Sequence, residues 1–200
     1  MPIEDVLVDP YPAIYEQVEL LPFNPHGWHN NGPILEKIIA LYAVRTIVEV
    51  GSWLGKCTRD CAAQIPEGGV VFAVDHWQGS ADHRENEEVK TWLPHLYQQF
   101  LSNVVHAGLT HKIIPIRMES CAAAKRFEQL EMPIDLIYID ASHDYYSVYC
   151  DLEAWHPLIK QGGIFCGDDW FCRTVRDAVK DFAKSCNLAI YCERNFWAVY

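Results

Sequence analysis

The stretches Ile137-Tyr-Ile-Asp-Ala-Ser-His143 and Gly163-Ile-Phe-Cys-Gly-Asp-Asp169 decide the fold of this chain. Each is a short apolar run that ends in carboxylates, which is typical of a buried strand reaching the edge of a sheet. The residues between them are enough for a helix, and a strand-helix-strand crossover makes the two strands parallel neighbours. Asp140, Asp168 and Asp169 would then lie side by side. Crowded carboxylates need a positive partner, and a hard divalent cation with open positions for substrate oxygens suits them best.

Strand and helix signals alternate along the rest of the chain. The last residues read as two strands around a tight turn at 193–195. This order predicts an α/β fold, a Rossmann-like, doubly wound sheet of seven mostly parallel strands with helices on both faces and a C-terminal antiparallel hairpin. The other strands are expected at 46–50, 70–74, 113–116, 134–139 and 164–166, and the helices at 33–43, 56–64, 96–107, 120–130, 145–158 and 175–186.

Length and composition indicate one domain over residues 1–200. Half of the residues are hydrophobic, which is enough for a sizeable core. The first 30 residues carry five of the eleven prolines, so residues 1–32 are expected to form an irregular arm ahead of a core at 33–200. Residues 78–94 are polar and charged, and they read as a loop or a lid over the substrate.

Charge and composition exclude several classes of partner. A net charge of −11 argues against binding to nucleic acid or to an anionic membrane surface, because both require a basic face. No apolar run approaches the ~20 residues needed to span a bilayer. The acidic start Met1-Pro-Ile-Glu-Asp5 is unlike an export leader, so a cytoplasmic protein is expected. The eight cysteines form no Cys-x-x-Cys pair and read as buried, reduced thiols. The sequence leaves homo-oligomerisation open.

A glycine turn follows the first strand, in Glu49-Val-Gly-Ser-Trp-Leu-Gly55. In dinucleotide-binding folds a middle glycine lets the backbone approach a pyrophosphate, but here Trp53 stands near that position. A phosphate cradle is therefore disfavoured, and an uncharged linkage could lie across the turn. Glu49 adds a negative charge that suits an ammonium group. The alternative is a tight strand-helix connection without a ligand.

Polar residues also follow the second and third strands. Asp75 comes 24 residues after Gly51, which is the spacing of a carboxylate that accepts hydrogen bonds from ribose hydroxyls. His76 follows it and could pack on a ligand. Glu119 and Ser120 end the third strand, where polar groups could contact an adenine edge. The alternatives are a helix N-cap or a surface acid at Asp75, and a helix cap at Ser120.

With these motifs, the chain resembles the class I S-adenosylmethionine-dependent methyltransferases. More narrowly, it is similar to the metal-dependent small-molecule O-methyltransferases of the catechol and macrocin types. The resemblance covers roughly residues 33–200. It rests on Glu49-Val-Gly-Ser-Trp-Leu-Gly55, Val74-Asp75, Met118-Glu-Ser120, Asp135-Leu-Ile-Tyr-Ile-Asp140 and Gly162-Gly-Ile-Phe-Cys-Gly-Asp-Asp169.

The resemblance implies a ligand set. S-adenosylmethionine would lie with its methionine moiety along the turn and its ribose at Asp75. Asp140, Asp168 and Asp169 would hold Mg²⁺ or a similar ion, although some family members carry asparagine at the last position. The residues implied at the cofactor are Glu49, Gly51, Ser52, Trp53, Gly55, Asp75, His76, Glu119, Ser120 and Asp140.

The expected chemistry is methyl transfer to a small hydroxylated molecule. The metal would lower the pKa of a substrate hydroxyl, with Asp140 and His143 as the catalytic residues. His143 stands where catechol-type enzymes carry a lysine base, and an imidazole is suited to proton removal near neutral pH. Asp144 is the competing candidate for the base.

Three other functions share this kind of sheet. A nicotinamide-dependent oxidoreductase is disfavoured by Trp53. A metal-dependent hydroxylase or hydrolase is the second, but an iron oxygenase needs two histidines near a carboxylate, and only His143 lies near the carboxylates in sequence. The third is a non-catalytic cofactor-binding relative. The complete carboxylate set argues against it, since buried charge is costly without its ion.

Overall fold

A seven-stranded sheet forms the centre of the protein. The computed structural model describes residues 13–200, including all side chains except those of residues 81 and 82. The strands follow the spatial order β3-β2-β1-β4-β5-β7-β6, in which β1 to β5 are parallel and β7 is antiparallel to both neighbours. This confirms the predicted fold class. The strands are β1 (Thr46–Val50), β2 (Val70–Asp75), β3 (Ile113–Arg117), β4 (Ile134–Ile139), β5 (Ile159–Gly167), β6 (Ile190–Glu193) and β7 (Phe196–Val199).

Helices connect the parallel strands and cover both faces of the sheet. Several begin and end where the periodicity of apolar residues predicts. The α-helices are α1 (Ala13–Glu16), α2 (Gly32–Leu41), α3 (Lys56–Gln64), α4 (Ala81–Glu85), α5 (Leu96–His106), α6 (Ser120–Leu130), α7 (Tyr145–Trp155) and α8 (Arg173–Ser185).

Alternating side chains divide the core into two layers. Val48 and Val50 of β1 pack with α6, α7 and α8 around large residues such as Trp155. Ile47 points to the opposite face and packs with α2, α3 and α5 around Phe100. This division follows from the two-residue period of a strand. Because helices cover both faces of the sheet, ligands can bind at the edge that the carboxyl ends of the parallel strands form.

Two segments are more regular than predicted. Residues 78–94 are not a plain loop, because they contain α4 and most of a 3-10 turn at Lys90–His95. β5 begins at Ile159, five residues before the predicted start. Its pairing with β4 passes through an irregularity between Ile134 and Leu136, so the strand continues where a glycine pair suggested a connection.

The N-terminal arm is attached to α5 by long-range hydrogen bonds. Its first 12 residues lie outside the described residues. The short helix α1 was not predicted, and residues 17–31 have no helix or strand. The backbone N–H of Leu21 donates to Ser102 Oγ (3.0 Å) and that of Asn24 to Asn103 Oδ1 (2.9 Å). The irregular arm therefore has a defined path over the core.

No helix within residues 13–200 is long and apolar enough to cross a bilayer.

All eight cysteines are free thiols. Only Cys57, Cys61 and Cys166 are buried, whereas Cys150, Cys186 and Cys192 are exposed, so the prediction that the cysteines are buried was correct only in part.

Candidate functional site

The carboxyl ends of β1, β2, β4 and β5 are joined by backbone hydrogen bonds. The N–H of Gly51 donates to Val74 O (2.8 Å), that of Asp140 to Val50 O (2.8 Å), and that of Asp168 to Ile139 O (3.0 Å). Each bond links the first residue beyond one strand to one of the last two residues of the neighbouring strand. The predicted turn and the predicted carboxylates therefore lie at one edge of the sheet.

The 51–55 turn has a tightly constrained backbone. Gly51 has φ +96°, and a Cβ there would lie 2.0 Å from Asp140 O, so only glycine fits. Gly55 (φ +77°) packs against the ring of Phe100. Trp53 adopts φ +49°, which is unusual for a residue with a side chain. Ser52 is buried.

Asp75 holds this turn from β2. Its Oδ2 accepts from the N–H of Trp53 (3.0 Å) and its Oδ1 from the N–H of Trp77 (2.6 Å). The Trp77 indole in turn donates to Trp53 O (2.8 Å). Burial raises the pKa of Asp75, and the two backbone N–H groups oppose that rise. Carboxylate oxygens accept more than one hydrogen bond, so Asp75 can still receive ribose hydroxyls.

His76 lies at the surface beside this carboxylate. Its Nδ1 is 3.8 Å from Asp75 Oδ1 and accepts from the N–H of Gln78 (2.9 Å). The imidazole therefore stays close to the predicted ribose site.

Glu49, near the end of β1, contacts α3 through Thr58. It is 2 % exposed and accepts a hydrogen bond from the Thr58 hydroxyl. Burial raises its pKa, and the hydrogen bond from Thr58 opposes that rise. Glu49 thus links the end of β1 to α3.

Glu119 and Ser120 begin α6, beyond the end of β3. The capping position belongs to Glu119, whose side chain makes no capping bond, so the interpretation of Ser120 as the cap was wrong. Ser120 is the first helical residue, and its Oγ accepts from the indole N–H of Trp155 (2.8 Å). Its hydroxyl is thus used in packing α6 against α7.

The carboxylates of Asp140, Asp168 and Asp169 lie near one another beyond β4 and β5, close enough for their charges to interact. Burial raises the pKa of Asp140 well above its usual range, and the charges of Asp168 and Asp169 raise it further. Burial also raises the pKa of Asp168. The side-chain amide of Asn195 donates to Asp168 Oδ1 (2.7 Å) and Asp169 Oδ1 (3.3 Å). The cluster is therefore negative, buried in part and only partly compensated.

The carboxylate cluster is suited to a cation by chemistry rather than by a ready-made geometry. Among the side chains that the structure describes, no group of three His, Cys, Asp or Glu has the arrangement of a metal centre. Carboxylate oxygens are nevertheless the preferred ligands of Mg²⁺. A cation would relieve the repulsion that raises the pKa of Asp140. Asp140, Asp168 and Asp169 are the residues that could hold it.

His143 reaches the same cluster from the β4–α7 loop. Its Nε2 lies 2.9 Å from Asp169 Oδ2. Its carbonyl oxygen accepts a hydrogen bond from the Thr174 hydroxyl at the start of α8. The half-exposed imidazole is thus anchored on two sides and remains accessible to a substrate.

Asp144, the competing base candidate, is a helix cap. Its Oδ1 accepts from the N–H of Ser147 (3.0 Å), and its Oδ2 accepts from the Ser142 hydroxyl (2.6 Å). These hydrogen bonds lower its pKa to about 2. A carboxylate with so low a pKa is a weak base at neutral pH.

Sequence reasoning missed two asparagines near this edge. Asn195 was predicted only as part of the hairpin turn, and Asn31, whose amide donates to Tyr138 Oη (2.9 Å), only as part of the arm. A single asparagine in a turn or an arm carries no pattern that reveals a long-range contact. The hairpin's position beside β5 is what brings Asn195 to the carboxylates.

A cleft of about 450 Å³ opens beside the ends of β2 and β3. Trp77, Tyr97 and Arg117 contribute to its wall, and the Arg117 guanidinium lies 4.7 Å from the centre of the Tyr97 ring. Burial raises the pKa of Tyr97 to about 12, so this hydroxyl stays protonated near neutral pH. The cleft adjoins the Asp75 end of the site through Trp77.

Comparison with known proteins gives consistent matches. A family model described as a methyltransferase domain matches residues 48–170. Caffeoyl-CoA O-methyltransferase 1 of Zea mays is 26 % identical over 157 residues, which cover 72 % of this chain and 52 % of that protein. The chain therefore spans about half the length of this curated relative.

Solved structures show the same fold. The O-methyltransferase from Bacillus cereus in complex with SAH (S-adenosylhomocysteine) matches with a TM-score of 0.64 and 18 % identity, covering 98 % of this chain and 94 % of that one. TomG from Streptomyces achromogenes, an O-methyltransferase of tomaymycin synthesis in complex with SAM, matches with a TM-score of 0.65 and 13 % identity, covering 87 % and 80 %.

Proposed function

Since the chain belongs to the methyltransferase-domain family, whose model matches more than half of it, we propose that it is an S-adenosylmethionine-dependent O-methyltransferase that uses a divalent cation and acts on a small hydroxylated molecule. One observation carries the proposal. Gly51 packs closely on Asp140. This contact joins the 51–55 turn, whose Trp53 N–H donates to Asp75, to the carboxylate cluster and His143.

The cofactor end of the proposed site is the turn and the carboxylate that holds it. The methionine moiety would lie along residues 51–55, and the ribose hydroxyls would donate to Asp75. Trp53 fills the place at which a pyrophosphate would need close backbone approach, which favours a cofactor without that group over a nicotinamide dinucleotide. The relatives solved with SAH and SAM support this choice.

His143 is the proposed base, and Asp169 orients it. A neutral imidazole that donates from Nε2 to Asp169 carries its lone pair on Nδ1, which accepts the proton of the substrate hydroxyl. The oxygen then attacks the sulfonium methyl group. The O–CH₃ bond forms as the S–CH₃ bond breaks, and S-adenosylhomocysteine leaves. The sulfonium is already a strong electrophile, so alignment and proton removal are the main tasks of the protein.

The cation completes the proposed site. When bound, it supplies Lewis-acid assistance by favouring the ionised form of the substrate oxygen. Asp140, Asp168 and Asp169 would hold it, and their crowding makes binding favourable because it removes repulsion among them.

The test is a methyl-transfer screen with labelled S-adenosylmethionine against phenols, sugars and caffeoyl-CoA, with Mg²⁺ or with EDTA. We expect turnover of at least one hydroxylated compound that depends on Mg²⁺. His143→Ala should lower turnover by about 10²-fold or more. His111→Ala, an exposed histidine far from the edge, is the matched control and should behave as the unchanged protein.

Cation binding also has a direct test. Calorimetry should show Mg²⁺ binding that weakens in Asp168→Asn. Failure to bind S-adenosylmethionine would contradict the whole proposal. Cofactor binding without any response to divalent ions would contradict only its metal part.

A further inference from the structure

Side chains of α5 hold the N-terminal arm beside the 51–55 turn. The side-chain amides of Gln98 and Gln99 donate to the carbonyl oxygens of Glu19 (2.7 Å) and Pro22 (2.8 Å). Ser102 accepts from the arm one turn further on. So many hydrogen bonds to a segment without helix or strand indicate that its position is specified.

Asn103 links this arm directly to the turn. Its side chain is fully buried. Its Nδ2 donates to Asn24 O in the arm and to Leu54 O in the turn, both at 2.9 Å. Its Oδ1 accepts from the N–H of Asn24 (2.9 Å) and from Gln99 Nε2 (3.1 Å). One side chain thus ties together α5, the arm and the turn.

His26 makes a second link from the arm. Its Nδ1 accepts from the indole N–H of Trp53 (3.3 Å). Its ring also packs edge-on against Trp28 (4.6 Å between centroids) and Trp92 (4.7 Å). His83 covers the Trp53 ring at 4.1 Å. Two segments distant in sequence therefore enclose the indole of the turn.

We propose that His26 of the arm and Asn103 of α5 are positioning residues for cofactor binding, which hold the 51–55 turn in its binding conformation. The turn needs such support because Trp53 adopts a backbone conformation that a residue with a side chain seldom takes. Asp75 holds the backbone N–H of Trp53, His26 holds its indole, and Asn103 holds the next carbonyl. The inference rests on the proposed cofactor site.

The first experiment measures S-adenosylhomocysteine binding by calorimetry in the full chain. His26→Leu removes the acceptor, and the dissociation constant should rise about fivefold to tenfold, as expected for one lost hydrogen bond. His26→Asn places an acceptor oxygen near the position of Nδ1 and should restore affinity to within about threefold. His111→Leu is the exposed control and should leave affinity unchanged.

The second experiment separates positioning of the turn from attachment of the arm. Ser102→Ala removes an arm contact without touching the turn. Asn103→Ala removes both contacts. Asn103→Ala should weaken S-adenosylhomocysteine binding, whereas Ser102→Ala should lower only the unfolding temperature.

The outcomes distinguish failure of the positioning inference from failure of the proposed cofactor site. The inference is overturned if His26→Leu binds as tightly as the unchanged protein, or if His26→Asn binds as weakly as His26→Leu. It is also overturned if Ser102→Ala weakens binding as much as Asn103→Ala. If the unchanged protein does not bind S-adenosylhomocysteine, the cofactor proposal fails and the inference fails with it.

Discussion

Gly51 lies so close to Asp140 that a Cβ at residue 51 would sit 2.0 Å from the Asp140 carbonyl oxygen. The contact joins the turn after β1 to the end of β4. It brings the proposed cofactor-binding turn next to the carboxylate cluster. In the proposed function, the distance between the methyl donor and the acceptor hydroxyl would therefore depend on the backbone of two adjacent strands.

Gly51→Ala should strongly destabilise the protein. The new methyl group would overlap backbone atoms that cannot rotate away, and the positive φ adds strain, so we expect a loss of about 3 kcal/mol or more in the free energy of unfolding. Gly108→Ala is the control, because Gly108 also has positive φ but nothing within 4 Å. Denaturation in urea should show a much smaller loss there. Equal losses would contradict the predicted clash.

Asp169→Asn should lower turnover through His143. The pair is joined at 2.9 Å, and an amide would neither stabilise the imidazolium nor hold its tautomer. We expect turnover to fall at least tenfold. With Mg²⁺ at saturating concentration, the double variant with His143→Ala should be no slower than the slower single variant, since the remaining effect of Asp169→Asn acts through His143. Multiplicative losses in initial-rate measurements would show that the two residues act independently.

Asp151→Asn should stabilise the protein at high pH. Asp151 is buried between α6 and α7, and burial raises its pKa to about 6. The folded state therefore holds this proton more tightly than the unfolded state, so stability falls as pH rises from about 4 to 6. At pH 8 the substitution Asp151→Asn should raise the free energy of unfolding by about 1–3 kcal/mol. Near pH 4 it should raise it by almost nothing.

Urea denaturation at both pH values measures the effect of Asp151→Asn. The exposed Glu128→Gln on α6 serves as the control and should show no such pH dependence. A stabilisation of the same size at pH 4 and pH 8 would rule out the ionisation of Asp151 as its cause.

Asp144→Ala should weaken the start of α7 but leave methyl transfer intact. Loss of the bond to the Ser147 N–H should cost about 1 kcal/mol of stability at neutral pH. Because the pKa of Asp144 is lowered to about 2, this contribution should persist in mild acid and disappear only as pH falls through about 2. Asp144→Asn keeps an acceptor and should recover most of the stability. A large loss of turnover in Asp144→Ala would argue against His143 as the base.

Local patterns were sufficient for most of the fold. Strands such as β1 and β4 have the predicted bounds, because a run of β-branched and apolar residues identifies a buried strand from the local sequence alone. The early start of β5 was missed because a glycine pair normally breaks a strand, and here pairing with β4 keeps the segment extended. The path of the arm was missed for a related reason, since Asn24 and Asn103 are 79 residues apart.

The sequence by itself determined that Asp75, Asp140, Asp168 and Asp169 reach one edge of a parallel sheet, because strands that alternate with helices run parallel and have their carboxyl ends at the same edge. Only the tertiary structure decided what each carboxylate does there. Asp169 pairs with His143 and Asp75 binds the turn, while Asp144, next to His143 in sequence, serves as a cap. Hydrogen bonds form only within narrow limits of distance and angle, and packing between distant elements sets both.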